Sequence, residues 1–224
     1  MERSQWLKEK RRTGEERMDT LWAPIYDENW GATIEASHQA CIRKFLALCP
    51  GGCTILDAAC GTGKYWPLIL ESGRSVVGID QSQGMLDRAK AKFPQVPVQK
   101  LGLQEISAED TFDAMICMDA LELVPPEAWP PILGNFHRAL RTGGLLYFTV
   151  ELAEPEATQA AFEAGQEKGL PVVYGEWGHE AGYHYYPAID QVRRWLSEAQ
   201  FTILDEAVGD DYHHLISKRD ATLI

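Results

Sequence analysis

A short turn of small residues follows the acid Asp57 and could bring bare backbone close to a ligand. The turn contains Gly61 and Gly63, and it follows an apolar run, 54–57, that predicts a strand. Glycine permits close approach because it has no Cβ, and a helix predicted after the turn offers free N–H groups. The turn lacks the Gly-Lys-Ser/Thr ending of a phosphate loop, and its glycines are too close together for the dinucleotide fingerprint. It therefore indicates a ligand site of another kind.

A second acid, Asp80, ends the next apolar run, 75–80. Its distance from Gly61 is close to the roughly 20 residues after which a doubly wound fold places an acid at the end of its second strand. An ionised carboxylate there can accept hydrogen bonds from both ribose hydroxyls. The alternative is that Asp80 caps a helix that begins near Ser82. Both can hold at different atoms, and we favour ribose binding.

These two segments resemble the class I, Rossmann-like, S-adenosylmethionine-dependent methyltransferases. The run Asp-x-Ala-Cys-Gly-x-Gly at 57–63 resembles their first motif, and 80–86 resembles their Asp-x-Ser-x-x-Met-Leu pattern. The resemblance implies that the glycines admit the methionine part of the cofactor, that the first acid orders the loop and the ammonium end, and that the methionine side chain packs on adenine. It places these residues at the cofactor: Asp57, Ala59, Gly61, Gly63, Asp80, Gln81 and Met85.

The resemblance extends to the ends of two further predicted strands. Many family members carry an acid after the third strand, whereas this chain has Gly102 and Leu103, so backbone groups would contact the adenine edge. After the fourth strand, the resemblance implies that Met118 and Asp119 lie at the cofactor ammonium and the transferred methyl group. For Asp119 the alternative is a helix cap before 121–124.

The order of predicted elements favours an α/β fold, because strands and helices alternate. We predict a seven-stranded, mostly parallel, doubly wound sheet with helices on both faces and an antiparallel C-terminal strand. The predicted helices span 34–48, 65–70, 85–92, 129–140 and 189–198, and the strands span 54–57, 75–80, 96–101, 112–118, 145–150, 201–206 and 212–217. The predicted division is a leader or lid at 1–32 and a methyltransferase-like domain at 33–224, with an aromatic-rich insertion at about 152–188.

Two aromatic clusters could cover a cationic sulfonium, which aromatic faces favour. The N-terminal cluster contains Trp22, Tyr26 and Trp30, of which we assign Tyr26 and Trp30 to the cofactor. The insertion contributes the predicted acceptor-binding residues Tyr174, Trp177, Tyr183, Tyr185 and Tyr186. Core packing of a long loop or a dimer contact is the alternative for these rings. His184, in the same loop as His179, is the predicted catalytic base, whereas His38 is expected to be structural.

Composition argues against several partners. The chain has 224 residues, with 33 acidic and 21 basic side chains and a net charge of −12. A surface this negative repels phosphate backbones, and the basic run at 8–12 is far in sequence from the glycine turn, so we expect no nucleic acid partner. No apolar run approaches the roughly 18 residues of a membrane span, and the N-terminus lacks the apolar stretch of a secretory signal.

The five cysteines form no Cys-x-x-Cys pair and have no zinc-like spacing with histidine. We expect reduced thiols, no bound metal, no membrane partner and a cytoplasmic location.

The leading hypothesis is transfer of a methyl group from S-adenosyl-L-methionine to an O or N atom of a small, aromatic or apolar acceptor, with S-adenosyl-L-homocysteine as product. The chain lacks the Asn/Asp-Pro-Pro-Tyr/Phe run of amino methylation on planar nitrogens and the Pro-Cys dipeptide of cytosine C5 methylation. Two alternatives remain. One is an enzyme that uses the same nucleoside without moving a methyl group, such as an aminopropyl transferase, and the other is a silent nucleoside-binding module.

Overall fold

A seven-stranded sheet forms the centre of the protein in the computed structural model, which describes residues 1–31, 33–178 and 182–221. The strand order is β3-β2-β1-β4-β5-β9-β8, and β9 runs antiparallel to both of its neighbours. The strands of this sheet are β1 (Thr54–Ala58), β2 (Ser75–Asp80), β3 (Val98–Lys100), β4 (Phe112–Cys117), β5 (Leu140–Glu151), β8 (Phe201–Gly209) and β9 (Tyr212–Arg219). The predicted α/β class, mostly parallel sheet and antiparallel C-terminal strand are confirmed.

Helices cover both faces of the sheet. They are α1 (Arg3–Arg17), α2 (Ala36–Leu48), α3 (Trp66–Glu71), α4 (Gln83–Lys92), α5 (Trp129–Ala139), α6 (Pro155–Glu167) and α7 (Ile189–Glu198). A two-stranded hairpin, β6 (Glu176–Trp177) with β7 (His184–Tyr185), lies outside the main sheet.

Neighbouring side chains of a strand point to opposite faces of the sheet, and the central strands bury apolar side chains on both faces. In β1, Ile55 packs with Phe45 and Trp66 on one face of the sheet, whereas Leu56 packs with Trp129 and other apolar side chains on the opposite face. These two apolar layers enclose the sheet.

The fifth strand differs from its predicted bounds of 145–150. Residues 141–144, which the predicted bounds leave between the helix and the strand, lie within β5, because Leu140 already pairs with Phe112 of β4. The register shifts between Phe112 and Ala114, and Gly143 has a φ of 78° in this irregular part. The strand is therefore irregular over 141–144, and α5 leads directly into it.

The N-terminal residues form α1 and then a series of short helical turns over 18–31. Among the described residues, no helix is long and apolar enough to cross a membrane. The division at 32 and 33, and the insertion at about 152–188, remain predictions.

Candidate functional site

One large cavity opens at the carboxyl ends of the parallel strands, with a volume of about 710 Å³. The turn after β1, the ends of β2, β4 and β5, and the N-terminal segment all contribute to its lining. Open α/β sheets bind ligands at this edge, where neighbouring crossovers leave the sheet in opposite directions. That point lies here between β1 and β4, which are adjacent in the sheet.

The turn after β1 has an unusual backbone. Ala59, Gly61 and Gly63 have φ values of 65°, 52° and 79°. A Cβ added to Gly61 would meet no atom within 4 Å, so its bare backbone faces open space in the cavity. A Cβ on Gly63 would lie 2.7 Å from the Trp66 ring, and Gly63 is not among the cavity's lining residues. The two glycines therefore have different structural roles.

Asp57 lies at the base of this turn, where its side chain is 2% exposed. Its Oδ2 accepts a hydrogen bond of 2.8 Å from the Trp66 indole N–H. Burial, with further contributions from the charges of Asp80 and Asp119, outweighs this bond and raises the pKa of Asp57 to about 7. A cationic ligand at this point would favour the ionised carboxylate.

Asp80 connects the end of β2 to the turn after β1. Its Oδ2 accepts from the Gly61 N–H at 2.8 Å, and its Oδ1 accepts from the Ser82 N–H at 2.8 Å. Ser82 is the residue that caps α4, because its hydroxyl accepts from the Met85 N–H at 3.1 Å. A carboxylate has about four lone-pair sites, so Asp80 retains acceptor capacity toward the cavity that it lines.

Most of the predicted cofactor residues lie around the same end of the cavity. Besides those described above, the residues from this set that line it are Tyr26, Trp30, Ala59, Gln81, Met85, Gly102, Leu103 and Met118. The rings of Tyr26 and Trp30 are in contact, with centroids 5.7 Å apart. The structure thus brings together every predicted cofactor residue except Gly63, although their roles remain predictions.

Asp119 belongs to a hydrogen-bonded cluster at the end of β4. Its Oδ1 lies 2.9 Å from His38 Nε2, and its Oδ2 accepts from the Tyr65 hydroxyl at 2.7 Å. Thr149 accepts from the Asp119 N–H at 2.7 Å and donates to its Oδ1 at 3.1 Å. Burial raises the pKa of Asp119, but the hydrogen bonds and charge of its partners outweigh burial and lower it overall. Ala120, not Asp119, is the residue that precedes the short helical turn Leu121–Leu123.

The aromatic insertion divides between the cavity and the protein interior. Tyr183 and His184 line the cavity, whereas the other four predicted acceptor residues are absent from its lining. Those four lie as follows: Tyr174 contacts Phe162, Trp177 contacts Tyr186, and Tyr185 is 8% exposed in the apolar core. The His184 ring stacks on Tyr186 at 6.0 Å. His179 lies outside the described residues.

Several residues that line the cavity were not predicted from the sequence. Glu122 and Glu151 line the cavity at the ends of β4 and β5, together with Tyr212 at the start of β9. His38, expected to be structural, also lines it and contacts Asp119. Glu151 ends β5 and Glu122 follows β4 in the short turn Leu121–Leu123, and this nearness to strand ends was the available signal.

The N-terminal segment is tied down over the cavity by acids. Asp19 accepts from the Gly84 N–H at 2.9 Å and from the Ser82 hydroxyl at 2.5 Å. Asp27 pairs with Lys92 at 2.7 Å and with Arg88 at 3.2 Å. These contacts hold the 18–31 segment against α4.

Helix α1 is anchored by a buried ion pair. Arg3 donates to both carboxylate oxygens of Glu176, at 2.7 and 2.9 Å, and Glu176 is fully buried. Trp6 is 3% exposed and packs edge-on against Tyr183 at 5.8 Å. The cavity is therefore covered by a helix whose contacts are specific. In the described parts of the chain, no group of three or more His, Cys, Asp or Glu side chains could hold a metal ion.

Comparison with known proteins agrees with this geometry. A sequence profile of the family described as "Methyltransferase domain" matches residues 55–144. The "Uncharacterized methyltransferase sll0829" of Synechocystis is 35% identical over 122 residues, which cover 54% of this chain but only 56% of that protein. The "Ubiquinone/menaquinone biosynthesis C-methyltransferase UbiE" of Campylobacter jejuni is 31% identical over 200 residues, which cover 81% of this chain and 82% of the relative.

Solved structures share the fold at low sequence identity. The magnesium protoporphyrin IX methyltransferase of Synechocystis, solved with bound S-adenosylhomocysteine, superposes with a TM-score of 0.68 at 17% identity and covers 94% of this chain and 100% of its own. The glycine turn, the acid ending β2 and the long match to a curated methyltransferase agree with one another. The chain belongs to the class I S-adenosylmethionine-dependent methyltransferases, whose cofactor is S-adenosylmethionine.

Proposed function

We propose that this protein transfers a methyl group from S-adenosylmethionine to an O or N atom of a small acceptor bound in the same cavity. The observation that carries the proposal is a cavity of about 710 Å³, which joins the glycine turn and Asp80 to the Asp119 cluster. Its volume lies within the roughly 300–1,000 Å³ range of small-molecule sites. Cofactor and acceptor would occupy adjacent ends of this cavity.

The residues around the turn after β1 fit the cofactor. Open space at Gly61 admits its methionine part close to the backbone, and the remaining lone pairs of Asp80 can accept the two ribose hydroxyls. Asp57, when ionised, favours the positive amino group. Met85 is 2% exposed and gives an apolar contact for a flat base.

The cofactor supplies an activated methyl group, and the protein's task is to orient the acceptor, exclude water and accept a proton where the acceptor carries one. Alignment of the two reactants can contribute about 7–11 kcal/mol of barrier reduction. Helix α1 and the 18–31 segment, which both line the cavity, would exclude water from it. His184 remains the proposed base, supported by its position in the lining.

The proposal is tested by incubating the protein with S-adenosylmethionine labelled at the methyl group and a panel of phenols, hydroxyindoles, amines and hydroquinones. We expect labelled product and S-adenosylhomocysteine in equal amounts. His184→Gln should lower kcat by about 100-fold or more, the range of a lost general base. His137→Gln is the matched control, because His137 packs against Phe201 and is absent from the cavity lining.

Three outcomes would count against parts of this proposal. Label on a ring carbon would show that the methylated atom is carbon and not O or N. The name of the Campylobacter relative specifies carbon for that protein. An unchanged kcat in His184→Gln would exclude it as the base. Binding of S-adenosylmethionine without transfer to any compound would favour the silent binding module.

A further inference from the structure

Glu122 is a buried acid that has no role in the methyl transfer proposed above. It lines the cavity just after β4 and is 6% exposed. Its Oε2 has no hydrogen-bond partner. Burial of a carboxyl group without a partner costs free energy, so such groups in native proteins call for an explanation.

The surroundings of Glu122 are acidic and aromatic. Burial, followed by the charges of Asp119 and Glu151, raises the pKa of Glu122 well above its usual value. Burial and the charge of Asp119 likewise raise the pKa of Glu151, which also lines the cavity. Two tyrosines that line the cavity, Tyr26 and Tyr212, complete this acidic chamber. Burial and then nearby acids, Glu122 among them, raise the pKa of both.

Two basic side chains of the cavity are paired with acids other than Glu122 and Glu151. Arg11 pairs with Glu105 at 2.7 Å, beside the end of β3, and Lys64 pairs with Glu35 at 3.0 Å. A positively charged group entering the acidic chamber would favour the ionised form of Glu122, which then loses its proton to solvent and pairs with the cation. Tyrosine faces would add favourable cation–π contacts.

We propose that the acceptor carries a basic nitrogen, held as an ammonium group by Glu122 and Glu151 in the acidic chamber at the ends of β4 and β5. This rests on the proposed function, and it names the chemical class of its acceptor. The ammonium group anchors the acceptor, while the methylated atom is the O or N atom that the anchor directs toward the cofactor end.

The sulfonium of S-adenosylmethionine is itself a cation and must be distinguished from the acceptor. If Glu122 faced the sulfonium, Glu122→Gln would weaken binding of S-adenosylmethionine but not of uncharged-sulfur S-adenosylhomocysteine. We expect the ratio of these two affinities, measured by calorimetry, to be unchanged in the variant. A selective loss for S-adenosylmethionine would overturn the proposal.

The acceptor class is tested with compounds that differ only in their polar group, in protein saturated with S-adenosylhomocysteine. One set is benzylamine, benzyl alcohol and benzoate, and the other is hexylamine, hexanol and hexanoate. We expect the amine of each set to bind at least about tenfold more tightly than the alcohol, as for a hydrogen bond to a charged group. Glu122→Gln should abolish this preference, and Glu151→Gln should reduce it.

Glu198→Gln, an exposed change in the last turn of α7, is the control and should retain the preference. Equal binding of amine and alcohol, stronger binding of the acids, or no binding of either amine overturns the proposal. Failure of the wild-type protein to bind S-adenosylhomocysteine would overturn the proposed function as well, so the two failures are distinguishable. Thermal unfolding checks that Glu122→Gln is folded, which we expect because the change removes a buried acid whose Oε2 has no hydrogen-bond partner.

Discussion

The charge on Asp57 connects cofactor binding to pH. Burial raises the pKa of this carboxyl to about 7, so below that pH the empty site holds a proton. A positively charged amino group binds the ionised form, and the proton must then leave. We predict that affinity for S-adenosylmethionine rises by up to about tenfold per pH unit below neutrality and levels off above it. Calorimetry over a pH series measures this.

Asp57→Asn provides the comparison. Its amide oxygen can still accept the Trp66 N–H, so the fold should persist. We expect weaker binding and little dependence on pH, and a pH profile identical to that of the wild type would show that Asp57 is not the responsible group.

Some site residues could be predicted from the sequence, whereas their long-range partners could not. The position of Asp80 beside the glycine turn could be predicted because strand, glycine turn and acid are close together in the chain. The partners of Asp119 could not be predicted, since His38 and Tyr65 lie 81 and 54 positions away and meet it only through the packing of other elements. Glu122 was missed for a related reason, because burial without a partner is a three-dimensional property.

At the scale of elements, the turn between β1 and α3 contains two glycines with different expected roles. We expect Gly63 to matter mainly for stability and Gly61 mainly for cofactor affinity. Alanine at Gly61 or Gly63 is strained by about 1–2 kcal/mol, because both have positive φ. Gly63→Ala also places a methyl group 2.7 Å from the Trp66 ring, and this overpacking adds about 1–3 kcal/mol. We predict that Gly63→Ala has the lower stability in urea unfolding, whereas Gly61→Ala loses more cofactor affinity than its modest loss of stability would suggest.

Equal losses of stability in the two variants would contradict the structure of this turn. Retention of full affinity in Gly61→Ala would mean that the cofactor does not approach the backbone there.

The 18–31 segment is held against α4 by Asp19. Asp19→Ala removes acceptors from the Gly84 N–H and the Ser82 hydroxyl, and we expect a loss of roughly 0.5–2 kcal/mol, as for other helix caps. Hydrogen exchange followed by mass spectrometry should show faster exchange in 18–31 and unchanged exchange in β1 and β4. Unchanged exchange in 18–31 would show that other contacts hold this segment.

The alternation of strands and helices predicted the sheet because local patterns determine those elements. Local patterns did not predict which rings of the aromatic insertion face the cavity. Its many rings were visible in the sequence, but which of them face the cavity depends on the hairpin of β6 and β7. Tyr185 is buried in the core, and its neighbour His184 lines the cavity, since adjacent strand residues point to opposite sides.

For the whole molecule, the net charge of −12 predicts the absence of nucleic acid binding. We expect no change in the fluorescence anisotropy of a labelled DNA duplex or RNA strand at low salt, where such binding is strongest. A salt-sensitive increase in anisotropy would indicate that the basic residues of α1 form a local binding surface.

The central claim is that the cavity binds S-adenosylmethionine through Asp80. Calorimetric titration with S-adenosylmethionine, S-adenosylhomocysteine, NAD and ATP tests it most directly. We predict that only the two sulfur nucleosides bind, and that Asp80→Asn weakens both by about tenfold to 100-fold through lost charge-assisted hydrogen bonds. Asp87→Asn, an exposed change in α4, should leave binding intact. Preference for NAD or ATP, or full affinity in Asp80→Asn, would contradict this assignment of the site.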